Sequence, residues 1–277
     1  MGFFNEITTL DEVPQFEVEK VALRDVNGNS IPKAYSLQRV DNSQHLGIVK
    51  EGYRPIQIEE MLNVIKDAST VIGDIEHTGF AESRGGRKMV VRSRLLHDID
   101  MDGDVIQPHF YTVIDNTGMG SNKTLPSTIR VTCDNAMHII SKDQSLGKLD
   151  GVRHAATFEE KIETMVNQIK SNVSNTIRFA SDARKLRGQK FDRNQMTKLV
   201  QTLIPVEEEE SVKRQTKRDK IVGLFFNGRG NSGESKWDAL NAITEFETHS
   251  GKQSTEKFIR SFSKNTLSAR THKLLLA

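Results

Sequence analysis

The sequence predicts an α+β protein, with an antiparallel, β-rich N-terminal region over residues 1–150 that carries one or two helices and an all-helical region over residues 151–277. Three observations predict it. Short extended runs punctuated by Asn-Gly, Gly-Gly and Asp-Gly turns fill the first half. Apolar residues at helical spacing fill the second. Capping signatures mark helix starts there, Thr157 with Glu160 above all.

Residues 18–24 read as extended and run into Asn27-Gly28, a strong hairpin signal. Residues 35–40 and 46–49 are candidate strands. Pro55 opens a helix with Ile58, Met61, Leu62 and Ile65 on its apolar face. Residues 71–80 read as extended. Arg84-Gly85-Gly86-Arg87 turns the chain into a strand over 89–96, and Asp102-Gly103 turns it again. The strand over 105–114 is interrupted by Pro108, which suggests an edge or a bulge. Residues 125–133 are expected as the last strand, and 135–141 as a short helix.

Behind Thr157, the residues Phe158, Ile162, Met165, Val166, Ile169, Val173 and Ile177 make the stripe of a long amphipathic helix that stops at Gly188. Asp192 caps a second helix carrying Met196, Leu199, Val200 and Leu203, ended by Pro205. A third begins near Ser211. A fourth begins near Ser235 and carries Trp237, Leu240, Ile243 and Phe246, which read as core. A last one carries Phe258, Ile259 and Phe262; Leu274-Leu275-Leu276 behind it reads as a packing tail. The joint at Leu149-Asp150-Gly151 is a linker or a turn.

Composition narrows the classes. Hydrophobic residues at 36% suffice for a core, while aromatics at 6% leave few rings for base stacking. The formal net charge of +2 gives no global cationic field, so nucleic-acid affinity must come from local basic patches. The single cysteine, Cys133, allows no intrachain disulfide and no Cys-rich zinc site, and reads as a buried small hydrophobe in a reducing compartment. Residues 1–10 lack the pattern of a secretory leader, and no run approaches about 20 apolar residues. A soluble protein of the host-cell cytoplasm with no membrane partner is expected.

Two motifs resemble sites. Gly228, Gly230 and Gly233 fit G-x-G-x-x-G, but a dinucleotide fingerprint follows a strand, and here the spacing reads as a loop between helices. Asp98, Asp100, Asp102 and Asp104 resemble half of an EF-hand loop, yet the twelfth position is His109 where a bidentate Glu is required, so an acidic hairpin turn is expected. None of the eight His residues, His77, His109, His138 and His154 among them, forms a metal-binding spacing, and no G-x-S-x-G is present. The sequence assigns no catalytic residue, no metal and no cofactor, and does not read as an enzyme.

The basic elements carry the binding hypothesis. On a strand, Lys88, Val90, Arg92 and Arg94 share one face, opposite Met89, Val91, Ser93 and Leu95. With Arg84 and Arg87 this makes a candidate phosphate track; the competing reading is a solvent-facing strand with charges that block edge pairing. Arg130 is a further contributor. Lys213, Lys217 and Lys220 line one helix face beside Arg214 and Arg218, behind the acidic run 207–210; a solvated helix matched to its dipole is the alternative. From Gly251 onward, Lys252, Lys257, Arg260, Lys264, Arg270 and Lys273 face one acid, Glu256.

Several of these segments resemble a family of phage- and plasmid-type proteins of unassigned function. Leu46-Gly47-Ile48-Val49 with Tyr53, Arg84-Gly85-Gly86-Arg87, Arg130-Val131-Thr132-Cys133-Asp134-Asn135, Arg153-His154-Ala155, and Arg218, Ile221, Leu224 and Phe225 are similar to that family's pattern. The most specific is Trp237-Asp238-Ala239-Leu240-Asn241-Ala242-Ile243-Thr244-Glu245-Phe246. The likeness covers roughly residues 46–250. In element order the first half is also similar to the single-strand-annealing recombinases of phages, RecT-like and Redβ-like proteins. That resemblance implies an oligomer with a basic groove that pairs strands without a nucleotide cofactor. The expected function is therefore DNA binding, with single-stranded DNA favoured, in recombination. The alternative is a protein-interaction module acting on a host defence or replication factor. A third reading is a metal-dependent nuclease using Asp100, Asp102 and Asp104.

Overall fold

The first turn shows how locally this chain is specified. The Asp25 carboxylate accepts the backbone N–H groups of Asn27 (2.9 Å) and Asn29 (2.8 Å), and Gly28 supplies a φ of 84°. The turn joins β1 (Val18–Arg24) to β2 (Ser30–Arg39), and β3 (His45–Lys50) completes a three-stranded antiparallel sheet in the order β1-β2-β3. The computed structural model describes residues 4–101, 103–130, 132, 135–138, 157–207, 211–251, 254–262 and 265–277. Asp102, Val131, Cys133, Asp134, the joint at 149–151, residues 153–155, the acids at 208–210, Lys252 and Lys264 lie outside them.

Helix α1 (Ile58–Ile72) buries Ile58, Met61, Leu62, Val64, Ile65 and Ala68. It starts three residues after Pro55 rather than at it. Gln57, the residue before the helix, spends its side-chain amide on both backbone groups of Val18, at 2.8 and 3.0 Å, which ties the helix start to β1. The helix also runs through Val71 and Ile72, where the sequence suggested extended chain. Gly73 (φ 72°) and Asp74 (φ 49°) break it, and β4 begins at Ile75.

The second sheet contains β4 (Ile75–Ser83), β5 (Lys88–Leu95), β6 (Ile99–Met101), β7 (Asp104–Asp115), β8 (Lys123–Arg130) and β9 (Asn135–His138). Its order is β4-β5-β7-β8-β9, with β6 also on β7, and every pairing is antiparallel. Two expectations are corrected. β7 is an unbroken central strand despite Pro108. The strand passes from pairing with β5, which ends at His109, to pairing with β6, which begins at Ile106, so Pro108 sits in the gap where a missing N–H costs no ladder bond. Residues 135–138 form an edge strand, not a helix, because they complete the ladder along β8 from Ser127 to Arg130. β5 is interior, so its charges do not block edge pairing.

The helical region comprises α2 (Phe158–Arg187), α3 (Arg193–Leu203), α4 (Val212–Asn227), α5 (Lys236–His249), α6 (Thr255–Ser261) and α7 (Leu267–Leu276). Thr157 and Glu160 form the expected reciprocal cap at 3.2 and 2.8 Å, and Gly188 ends α2. The buried line of α2 differs from the expected stripe. It continues through Asn172, Thr176, Phe179, Ala183 and Leu186, while Ile177 is 62% exposed. A steady line of burial over 30 residues follows a seven-residue repeat, which two polar residues occupy here. The C-terminal leucines belong to α7, which buries Leu275 and Thr271.

Three apolar clusters hold these elements. The first packs β1–β3, α1 and one face of the large sheet against Met165, Val166 and Ile169 of α2. The second joins Met101 and Ile106 to α2, α3, α4, α5 and α7. The third covers the other sheet face, with Phe258 of α6 and Phe262 just behind that helix seated on Val90, Tyr111 and Leu125. Side chains from both halves share each cluster. No described helix is long and apolar enough to cross a membrane.

The first sheet lies close against the β7–β8 turn at Gly47, where an added Cβ would lie 2.1 Å from the Thr117 carbonyl oxygen and 2.8 Å from its carbon. Both are backbone atoms, which cannot swing aside as a side chain can. Gly47→Ala is expected to cost about 1–3 kcal/mol by overpacking, read as a lower urea midpoint. An unchanged midpoint would mean that the sheets separate there freely.

Candidate nucleic-acid interface

Strand β5 places Lys88, Arg92 and Arg94 on one face, as the alternation predicts, but that face is not an open track. Val90, between them, is buried beneath α6. Lys88 pairs with the buried Asp115 at 3.0 Å, and Arg94 pairs with Asp98 at 2.9 Å. Arg92 donates to the Thr78 hydroxyl (2.9 Å) and carbonyl (2.8 Å) and lies over the Phe4 ring. Arg84, at the turn, is 78% exposed and 3.6 Å from Glu256. Arg87 is half-buried with no ion pair among the described residues. The hairpin keeps cations at its turn and neutralises two of the three on its strand.

His109, opposite Arg94 across the ladder, is 6% exposed. Burial pushes its pKa from 6.5 down to about 4, and the nearby Arg92 and Arg94 act in the same direction against the Gln107 carbonyl. The folded ring therefore stays neutral where the unfolded ring takes a proton, so stability is lost as pH falls from 6.5 toward 4. At pH 5 this amounts to about 2 kcal/mol. His109→Gln is expected to remove that share of the loss measured by urea denaturation between about pH 7.5 and 5. Overlaid pH profiles of variant and wild type would show that the ring is charged in the fold.

Arg130 is 3% exposed and serves the interior. Its Nε lies 2.8 and 2.9 Å from the two Asp104 oxygens. Its other nitrogens donate to the carbonyls of Arg229 (3.2 Å) and Gly230 (2.7 Å) and to Asn231 Oδ1 (3.1 Å). Trp237 Nε1 donates to Asp104 Oδ2 at 2.7 Å. One carboxylate thus joins β7, β8, the 228–233 loop and α5. That glycine loop follows α4 and leads into α5, as the sequence suggested; a Cβ at Gly230 would meet Arg130 Nη2 at 3.0 Å. Asp98 is committed to Arg94 and Gln107, and Asp100 accepts the Gly103 N–H at 2.7 Å. Among the described residues no group of three acids, histidines or cysteines could hold a metal ion.

This network floors a cleft of about 1150 Å³. The backbone at 189–191 runs beside 234–236, through Phe191 N–H to Glu234 O (2.8 Å) and Lys236 N–H to Gln189 O (3.0 Å). That pairing sets the N-termini of α3 and α5 side by side on the cleft wall. Arg187, Lys190 and Arg193 line it, joined by Trp237, Asp238 and Arg130. The acids here are mostly occupied. Asp192 caps α3 through the Gln195 N–H (2.8 Å), and Asp238 Oδ2 accepts from Ser232, Glu234 and Ser235. Glu234 is exposed on the rim. Arg187 donates to the Met101 carbonyl. None of Arg187, Lys190 and Arg193 forms an ion pair among the described residues.

Reading the sequence for charge density missed these three. The signal was there: residues 184–193 hold Arg184, Lys185, Arg187, Lys190 and Arg193, as dense a run as 84–94. On α4, Lys213 is exposed, and Lys217 and Lys220 lie over the Phe246 ring at 5.4 and 5.8 Å. Arg214 pairs with Glu207, and Arg218 is buried.

The match that places the chain runs from residue 45 to 274, to the domain of unknown function DUF932. The chain belongs to that family. No curated protein and no solved structure matches it. The matched span of this DUF932 chain begins at β3 and takes in the whole cleft, including Arg130, the 184–193 run and the Trp237 helix.

Proposed function

We propose that this DUF932 protein binds nucleic acid, single-stranded DNA in the first place, and acts by binding rather than by bond chemistry. The observation that carries the reading is the set of three cations, Arg187, Lys190 and Arg193, on the wall of the large cleft, with no acidic partner among the described residues. Phosphates neutralised there release condensed counterions, which is the main sequence-independent source of affinity. Arg84 and Arg87 at the β4–β5 turn and Lys213 on α4 extend the cationic surface, whereas Lys88, Arg94 and Arg130 are spent on internal pairs. A homo-oligomer in the DNA recombination of a phage or plasmid fits the resemblance in motif and element order. The test is fluorescence anisotropy with a labelled single-stranded oligonucleotide across a salt series. A steep slope, shallower in Arg187→Ala/Lys190→Ala/Arg193→Ala, supports the reading. No binding at low salt, with salt-insensitive capture of a host protein, replaces it with the interaction-module reading.

A further inference from the structure

We infer that Arg193 and Phe226 form a stacking shelf for a single unpaired base, an inference that rests on the nucleic-acid reading of the cleft. Arg193 is the first residue of α3, and its guanidinium carbon stands 5.3 Å from the centre of the Phe226 ring. The ring belongs to the last turn of α4 and cannot easily tilt. Phe225 meets it edge-on at 4.9 Å and 73°, and Gly233 is so close that a Cβ there would lie 2.5 Å from the ring. A pinned ring holds the guanidinium it supports. Arg193 is exposed, lines the cleft and has no carboxylate partner among the described residues.

A guanidinium lying over an aromatic ring offers its second face as a platform, and unpaired bases stack on such planes. Gln195 adds a polar edge beside it. Its Oε1 is fixed by the Asp192 N–H at 2.9 Å, which leaves the side-chain N–H groups without a partner among the described residues. Lys190 and Arg187, on the same wall, are placed for the flanking phosphates. A duplex reaches such a shelf only by flipping a nucleotide out of its stack, at a cost a single strand does not bear. The shelf therefore selects single strands.

The test compares Arg193→Lys, which keeps the charge and loses the plane, with wild type on two labelled oligonucleotides of equal length, one ordinary and one with abasic sites throughout. Thermal unfolding of both proteins checks that the exposed substitution leaves the fold intact. The expected result is a loss of about 5- to 100-fold on the ordinary strand, no change on the abasic strand, and an unchanged salt slope. Equal losses on both strands, or no loss on either, overturn the shelf while leaving nucleic-acid binding standing. Wild type that binds neither strand overturns the nucleic-acid reading, and the shelf with it.

Discussion

Asp104→Ala lowers the stability of this protein by about 3–5 kcal/mol, read as a large fall in the urea midpoint. The size follows from what the carboxylate leaves behind. Arg130 is 4% exposed at its side chain and loses the carboxylate that its Nε faces, and the Trp237 N–H loses its acceptor as well. Removing one member of a buried pair costs far more than the pair contributes, because the survivor's desolvation is no longer offset. Asp98→Ala is the matched control. Asp98 and Arg94 are 35% and 28% exposed, so their pair contributes under about 1 kcal/mol. Equal losses in the two variants would mean that water reaches the Asp104–Arg130 pair.

Arg187→Ala/Lys190→Ala/Arg193→Ala weakens single-stranded DNA binding about 500-fold in 50 mM salt. Three cations removed from beside a single strand take about 2 off the log–log salt slope. Carried from 1 M down to 50 mM, that slope amounts to about 500-fold in affinity, and the difference shrinks as salt rises. Arg84→Ala/Arg87→Ala on the hairpin turn tests the competing location, with a smaller loss expected because Arg84 already faces Glu256. A larger loss there than in the cleft variant would move the interface to the hairpin.

Wherever neighbours in the chain decide the outcome, the amino-acid order was legible. The helix caps at Thr157, Asp192 and Ser235 all form, since each is closed by a residue three positions on. The turns at Asn27-Gly28 and Arg84–Arg87 likewise follow from glycines, which take positive φ without strain, at Gly28, Gly85 and Gly86. The α+β division rests on such local patterns, and the alternation along β5 did place its three cations on one face.

The fate of those cations was decided elsewhere. Asp115 reaches Lys88 from 27 positions away and α6 covers Val90 from the far end of the chain, so an array that reads as open in sequence is partly closed in space. Arg130 looks like a surface contact in its motif and is buried because Asp104 and the 229–231 carbonyls converge on it. Residues 135–138 are a strand because β8 offers an unpaired edge, and backbone groups brought out of water must be bonded. Pattern along the chain decides which residues turn, coil or alternate. Burial and pairing of charge depend on what the folded chain brings from afar, and only the packed structure sets that.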